Sequence, residues 1–187
     1  MNLRRRRRTE GLVFLLLFGL SIPAANWLIG NVGVLCARDG PCLIPVAPGI
    51  LAPSGVLMIG VALVLRDLVQ RRLGLAVSAL AVLAGAAFSA LLAPPALVIA
   101  SAVAFLLSEF ADLAVYTPLA RRRLVAAVAA SSLVGLVVDS MVFLWLAFGS
   151  LEFLPGQIIG KAWMVLLAIP LIALLRRRDE RLGLQPA

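Results

Sequence analysis

The chain has 187 residues, 63% of them hydrophobic and 14% charged, with 17 Lys and Arg against 9 Asp and Glu and no histidine. A soluble domain is roughly 45–50% apolar and about a quarter charged, so this composition, with a mean hydropathy of +1.07, excludes a water-facing globule of this size and a disordered chain. Two cysteines exclude a disulfide-stapled module, and the lack of histidine removes histidine-ligated metals, Ser-His-Asp catalysis and imidazole relays, which leaves an integral membrane protein.

A membrane helix needs about 20 mainly apolar residues, each rising about 1.5 Å. The uncharged stretch from Gly11 to Ala37 predicts a first helix over about 11–30. Its amino end imitates a cleavable signal peptide, with five arginines, an apolar core and Ile22-Pro23-Ala24-Ala25. Further apolar spans follow, which favours an uncleaved first helix. The longest connection, 31–53, carries Cys36 and Cys42 around Ala37-Arg38-Asp39-Gly40-Pro41. In an oxidising compartment this spacing permits a small disulfide loop, and two free thiols are the alternative. Pro53-Ser54 supplies a stop-and-cap signal for a second helix over about 54–72. The uncharged run after Leu73 is too long for one helix, and Pro94-Pro95 splits it into a third over about 75–92 and a fourth over about 96–119. Gly149-Ser150 divides the remainder into a fifth over about 124–148 and a sixth over about 154–175. The expected fold class is an all-α membrane protein of six transmembrane helices, a single domain over 1–187.

The cations orient it. Of the 17, 14 fall in four groups, at 4–8, 71–72, 121–123 and within 176–181. With six spans all four groups land on one side, and the positive-inside rule puts both termini in the cytoplasm. The other side keeps Arg38. Each basic group abuts an apolar span, so the charge is a topology signal and no nucleic-acid partner is expected.

A lipid-facing charge costs about 2.5–3.5 kcal/mol at mid-helix even on the mildest scale, so charges within spans face a partner or a cavity. Here they are Asp67, Glu109, Asp112, Asp139, Arg66 and Lys161. Glu109 and Asp112 stand three apart and share a helix face, extended by Ser108 and Tyr116 four residues to either side of Asp112. In the fifth helix Ser132, Gly135, Asp139 and Phe143 recur at three- and four-residue steps. In the sixth, Gln157 and Lys161 are four apart with Trp163 nearby, and Asn26 stands beside Trp27 in the first. Plainer readings accompany each. Arg66 can snorkel to the inner end while Asp67 pairs with Arg71; Tyr116, Trp27 and Trp163 suit interfacial aromatic belts. Lys161 suits a counter-ion to one acid as well as a ligand contact, and the three acids Glu109, Asp112 and Asp139 suit an inter-helix clasp. The functional reading is a bound ligand bearing N–H donors, a cation or a proton.

Several strings carry a family likeness. Ser108-Glu109-Phe110-Ala111-Asp112 with Tyr116 and the basic turn at 121–123 resembles the vitamin uptake transporter family, the queuosine precursor transporters. So do Val138-Asp139-Ser140 leading to Phe143 and Ala147-Phe148, Lys161 followed by Pro170, Ala25-Asn26-Trp27-Leu28 and Arg66-Asp67-Leu68. The resemblance implies a six-helix carrier in a bacterial inner membrane, with an S-component-like fold, importing 7-cyano- or 7-aminomethyl-7-deazaguanine for tRNA modification. It implies no cofactor and no metal. Carried over by position, Asn26, Asp67, Glu109, Asp112, Asp139 and Lys161 match the family's polar positions. The substrate-binding candidates are these six with Ser108, Tyr116, Phe143, Gln157 and Trp163.

A guanine-like edge offers a ring N–H and an exocyclic amine side by side, which one carboxylate accepts together. Asp139 or Glu109 is expected to take that edge, with Lys161 balancing the remaining acid and an aromatic ring stacking on the base. Three rivals belong to other classes. An intramembrane aspartyl protease would use Asp112 and Asp139, but such enzymes usually show Tyr-Asp and Gly-x-Gly-Asp strings, and this chain has Ala-Asp and Val-Asp. A substrate-capturing subunit of an energy-coupling-factor importer usually shows Ala-x-x-x-Ala in its first helix, a spacing that Gly19, Ala24 and Ala25 do not keep. A ligand-free assembly protein is the third. No Walker motif occurs, so the expected partners are a small molecule and the lipid bilayer, and the Ala- and Gly-rich helix faces permit a homodimer.

Overall fold

The computed structural model describes residues 3–36, 41–92 and 98–184. Six helices make up most of it: α1 Leu3–Asn31, α2 Val56–Leu73, α3 Leu75–Leu92, α4 Val98–Leu119, α5 Leu124–Phe148 and α6 Leu154–Leu182. The expected bounds of the third and fifth helices coincide with α3 and α5. The Pro94-Pro95 break, Arg38 and the start of the fourth span lie outside the described residues.

The outer two helices run beyond their apolar segments. α1 begins eight residues earlier than the uncharged stretch, and α6 continues seven residues past Leu175. Arginine is a good helix former, and each extension carries an i,i+4 pair, Arg6 to Glu10 at 3.2 Å and Arg176 to Glu180 at 2.8 Å. α6 then ends in a Schellman pair, the Gly183 N–H on the Glu180 carbonyl and the Leu184 N–H on that of Asp179, with Gly183 at φ +64°.

The expectation that Ser54 caps the second helix is not met. α2 starts one residue past Gly55 without a side-chain cap, because the Ser54 hydroxyl donates instead to the Leu28 carbonyl at 2.7 Å and ties α2 to α1.

The first connection holds a small sheet that hydropathy does not reveal. Strands β1 Leu35–Cys36, β2 Cys42–Ala47 and β3 Ile50–Pro53 pair antiparallel in the order β1-β2-β3. Pro48 and Gly49 form a two-residue turn, Gly49 at φ +73°, as a Pro-Gly turn of type II requires. Cys36 and Cys42 face each other across the first ladder and are joined by a disulfide, which resolves the two alternatives in favour of the bridge. The ladder slips between Pro45 and Ala47, and at this bulge the Val46 carbonyl accepts the Trp163 indole N–H at 3.0 Å, fastening the sheet to α6.

Five helices, all but α2, are long and apolar enough to cross a membrane. Leu12, Leu16 and Leu20 of α1, Leu80 and Leu91 of α3, and Leu167, Leu171 and Leu174 of α6 face outward. So large an apolar exterior suits lipid and not water. α2 is the inverse: it touches each of the other five helices and buries 12 of its 18 residues, among them Arg66, Asp67, Arg71 and Arg72. Two apolar clusters wedge it in place, one around Phe18, Val69, Val82 and Phe105 and one around Leu68, Tyr116, Val128 and Ile172.

Candidate functional site

Three polar layers follow one another along α2. The first, at the sheet end, is a cavity of about 90 Å³. Asn26 of α1, Ser89 of α3, Ser101 and Phe105 of α4, Asp139 and Phe143 of α5, and Gln157 and Lys161 of α6 line it, closed on one side by Pro53, Val56 and Ile59. The Lys161 ammonium donates to Asp139 Oδ2 at 2.5 Å, Ser140 Oγ at 2.7 Å and Gln157 Oε1 at 2.8 Å, so all three of its protons are used. Ser140 in turn donates to the Leu136 carbonyl. Gly60 brings α2 against this part of α6: a Cβ there would stand 2.7 Å from the Lys161 carbonyl oxygen. Among the described residues no protein donor reaches Asp139 Oδ1, and Gln157 Nε2 is likewise uncommitted. Asn26 donates its amide to the Ile22 carbonyl and keeps its oxygen. The cavity thus combines uncommitted acceptors, an amide donor, serine hydroxyls and two phenyl rings.

The second layer, about 10 Å further along α2, is a packed ion cluster around Arg66, which is wholly buried. Its Nη1 lies 2.8 Å from Asp67 Oδ1, its Nε donates to Glu109 Oε2 at 2.9 Å, and its Nη2 contacts Asp112 Oδ1. The guanidinium carbon stands 5.9 Å from the Tyr116 ring centre. Ser131 donates to Asp67 Oδ2 at 3.0 Å. Only arginine has a planar fork able to face three carboxyls at once. Asp112 Oδ2, Tyr116 Oη and Ser132 Oγ are buried here without a hydrogen-bond partner among the described residues.

The third layer closes the opposite, arginine-rich end. Asp179 of α6 is held by Arg71 at 3.0 Å and Arg72 at 2.8 Å, while Glu10 of α1 takes Arg72 at 3.0 Å and Arg178 at 2.7 Å. Three of the four basic segments expected on one side, 4–8, 71–72 and 176–181, therefore meet through two acids.

The candidate residues separate along these layers. Asn26, Asp139, Phe143, Gln157 and Lys161 line the cavity. Asp67, Glu109, Asp112 and Tyr116 belong to the Arg66 cluster, and Ser108 is buried on the same α4 stripe, donating to the Phe105 carbonyl. Trp163 is 52% exposed and points to the sheet, away from the cavity. Three plain readings are corrected. Arg66 does not snorkel, because α2 runs through the middle of the bundle and three acids meet it there; Asp67 does not pair with Arg71, which is engaged by Asp179. Tyr116 is no interfacial belt residue, being completely buried. Asp112 and Asp139 are each engaged by a different cation. Arg66 as a hub, Ser131, Ser140, Ser89, Ser101 and Phe105 were not singled out by sequence; Ser140 could have been, since it adjoins Asp139.

Residues 86–175, just under half of the chain, match the model of a family described as "Putative vitamin uptake transporter". No curated protein and no solved structure matches the chain. The matched segment contains Glu109, Asp112, Asp139 and Lys161, the α4–α6 side of both buried clusters. Over that segment the chain is thus similar to a family of putative transporters, and its five long apolar helices suit a multi-pass membrane protein.

Proposed function

We propose that this chain is a secondary or facilitative carrier that imports queuosine precursors, 7-cyano- or 7-aminomethyl-7-deazaguanine, across a bacterial inner membrane. In this reading α2 is the sixth span, both termini are cytoplasmic, and the Asp139–Lys161 cavity takes the substrate. The observation that carries it is Asp139, which lines the cavity and whose Oδ2 is held by Lys161 while Oδ1 has no protein donor among the described residues. A carboxylate fixed in this way accepts a ring N–H or exocyclic amine, Gln157 Nε2 can donate to a ring carbonyl, and Phe105 or Phe143 can stack on the flat base. The cavity, about 90 Å³, is small for a bicyclic base, which enters as the helices part. Passage to the arginine-rich end then requires the Arg66 layer to open, since it lies between the cavity and that end on the same helices.

The test is Asp139→Asn, with precursor-dependent queuosine in cellular tRNA as the readout and membrane expression matched. We expect at least about a tenfold loss of uptake, the scale of one charged hydrogen bond. Full uptake at normal expression would remove Asp139 from the site. A thermal-shift series with deazaguanines, guanine and folate-like compounds tests the substrate itself, because a ligand of the folded carrier raises its stability by mass action.

A further inference from the structure

At the arginine-rich end a second cavity, of about 300 Å³, opens between the C-terminal ends of α2 and α6 and the turn joining α4 to α5. None of the three layers' roles accounts for it. Arg71, Arg121, Arg122 and Arg176 line it, against the acids Asp179 and Glu180. Both acids are already matched: Asp179 by Arg71 and by Arg72 from outside the cavity, Glu180 by Arg176. Arg121 and Arg122 are exposed, and among the described residues no carboxylate pairs with either. The cavity therefore carries surplus positive charge in the form of guanidinium forks, the geometry that suits phosphate oxygens. The N-terminal end of α5 and the C-terminal ends of α2 and α6 all meet this cavity, so their helix dipoles offset one another and the arginines carry its charge.

We propose that this cavity binds a phosphate-bearing anion, supplied by the headgroup of an anionic phospholipid. The lipid source follows from position: the cavity sits where the apolar run of α6 gives way to Arg176, the depth at which phosphates lie. Binding there would link α2, α6 and the α4–α5 turn, three elements that the Arg71–Asp179 contact joins only in part.

The experiment titrates purified full-length protein in neutral detergent with phosphatidylglycerol, phosphatidylcholine or inorganic phosphate, and follows the thermal midpoint. Phosphatidylglycerol is expected to raise it and phosphatidylcholine to leave it unchanged. In Arg121→Gln/Arg122→Gln the half-saturating phosphatidylglycerol concentration should rise at least about tenfold, each arginine near the surface contributing a similar electrostatic share. Arg5→Gln/Arg8→Gln, which removes two exposed arginines of α1 outside the cavity, should titrate like the parent. Equal stabilisation by phosphatidylcholine, an unchanged titration in the first variant, or an equal loss in the second overturns the site. Stabilisation by inorganic phosphate but not by phosphatidylglycerol, with the same dependence on Arg121 and Arg122, supports the phosphate site and overturns the lipid as its source.

Discussion

Arg66 and Lys161 are both buried cations between α4, α5 and their neighbours, yet their surroundings differ in one decisive respect. Arg66 meets three acids and an aromatic ring, all buried, and none of these residues lines either cavity described above. Lys161 meets one acid, an amide and a hydroxyl at the wall of a cavity, and its acid keeps one oxygen uncommitted. A charge enclosed on every side fixes helices, because removing its partner strands another charge in a low-dielectric interior. A charge saturated by the protein can instead hold a carboxylate at a set angle toward a space that a ligand fills. Two clusters of similar composition therefore suit different work: Asp112 Oδ2 is uncommitted but sealed in packing, whereas Asp139 lines a cavity that a ligand can reach.

Arg66→Met should break this contrast most severely. It leaves three carboxyls without a cation, and a loss of about 3–5 kcal/mol, or of folded protein altogether, is expected in thermal unfolding. Lys161→Met should cost less, about 1.5–3 kcal/mol, because the Asp139 side chain is 11% exposed and water can reach it. Its uptake should nonetheless fall as far as that of Asp139→Asn. If Lys161→Met destabilises the protein as much as Arg66→Met, the distinction between a fixing and a binding cluster is lost. Gly135→Ala sharpens the geometry of the Arg66 layer: its Cβ would stand 2.9 Å from Leu63 Cδ2 and 3.1 Å from Asp112 Oδ2, for about 1–3 kcal/mol. Gly19→Ala, where nothing lies within 4 Å, should be neutral or slightly stabilising by the same measurement. Trp163→Phe removes one indole hydrogen bond to the sheet, about 1 kcal/mol, and should leave uptake unchanged.

The helices were legible because a bilayer demands long apolar runs, and α3 and α5 are bounded by residues that mark ends, Gly74 at φ +94° and Gly149 at φ +62°. Hydropathy marks the apolar segment and not the helix, so the arginine-rich extensions of α1 and α6 escaped it. The sheet escaped because its strands have two, six and four residues, and Pro45 interrupts the strand pattern of β2. Helical spacing did group Ser108, Glu109, Asp112 and Tyr116, all of which are buried together. It could not say which neighbour they meet. That depends on α2 threading the centre, a fact of tertiary packing that made Arg66 their partner and left Asp139 to Lys161.

The bridge between Cys36 and Cys42 has a consequence for how this chain can be handled. The sequence has two cysteines, both are in the bridge, and none is free. The oxidised protein is thus a native thiol-free background, in which one cysteine introduced beside the cavity or in the Arg66 layer would be the sole target of a maleimide, and mild reduction would expose a matched pair of reporters confined to the sheet end.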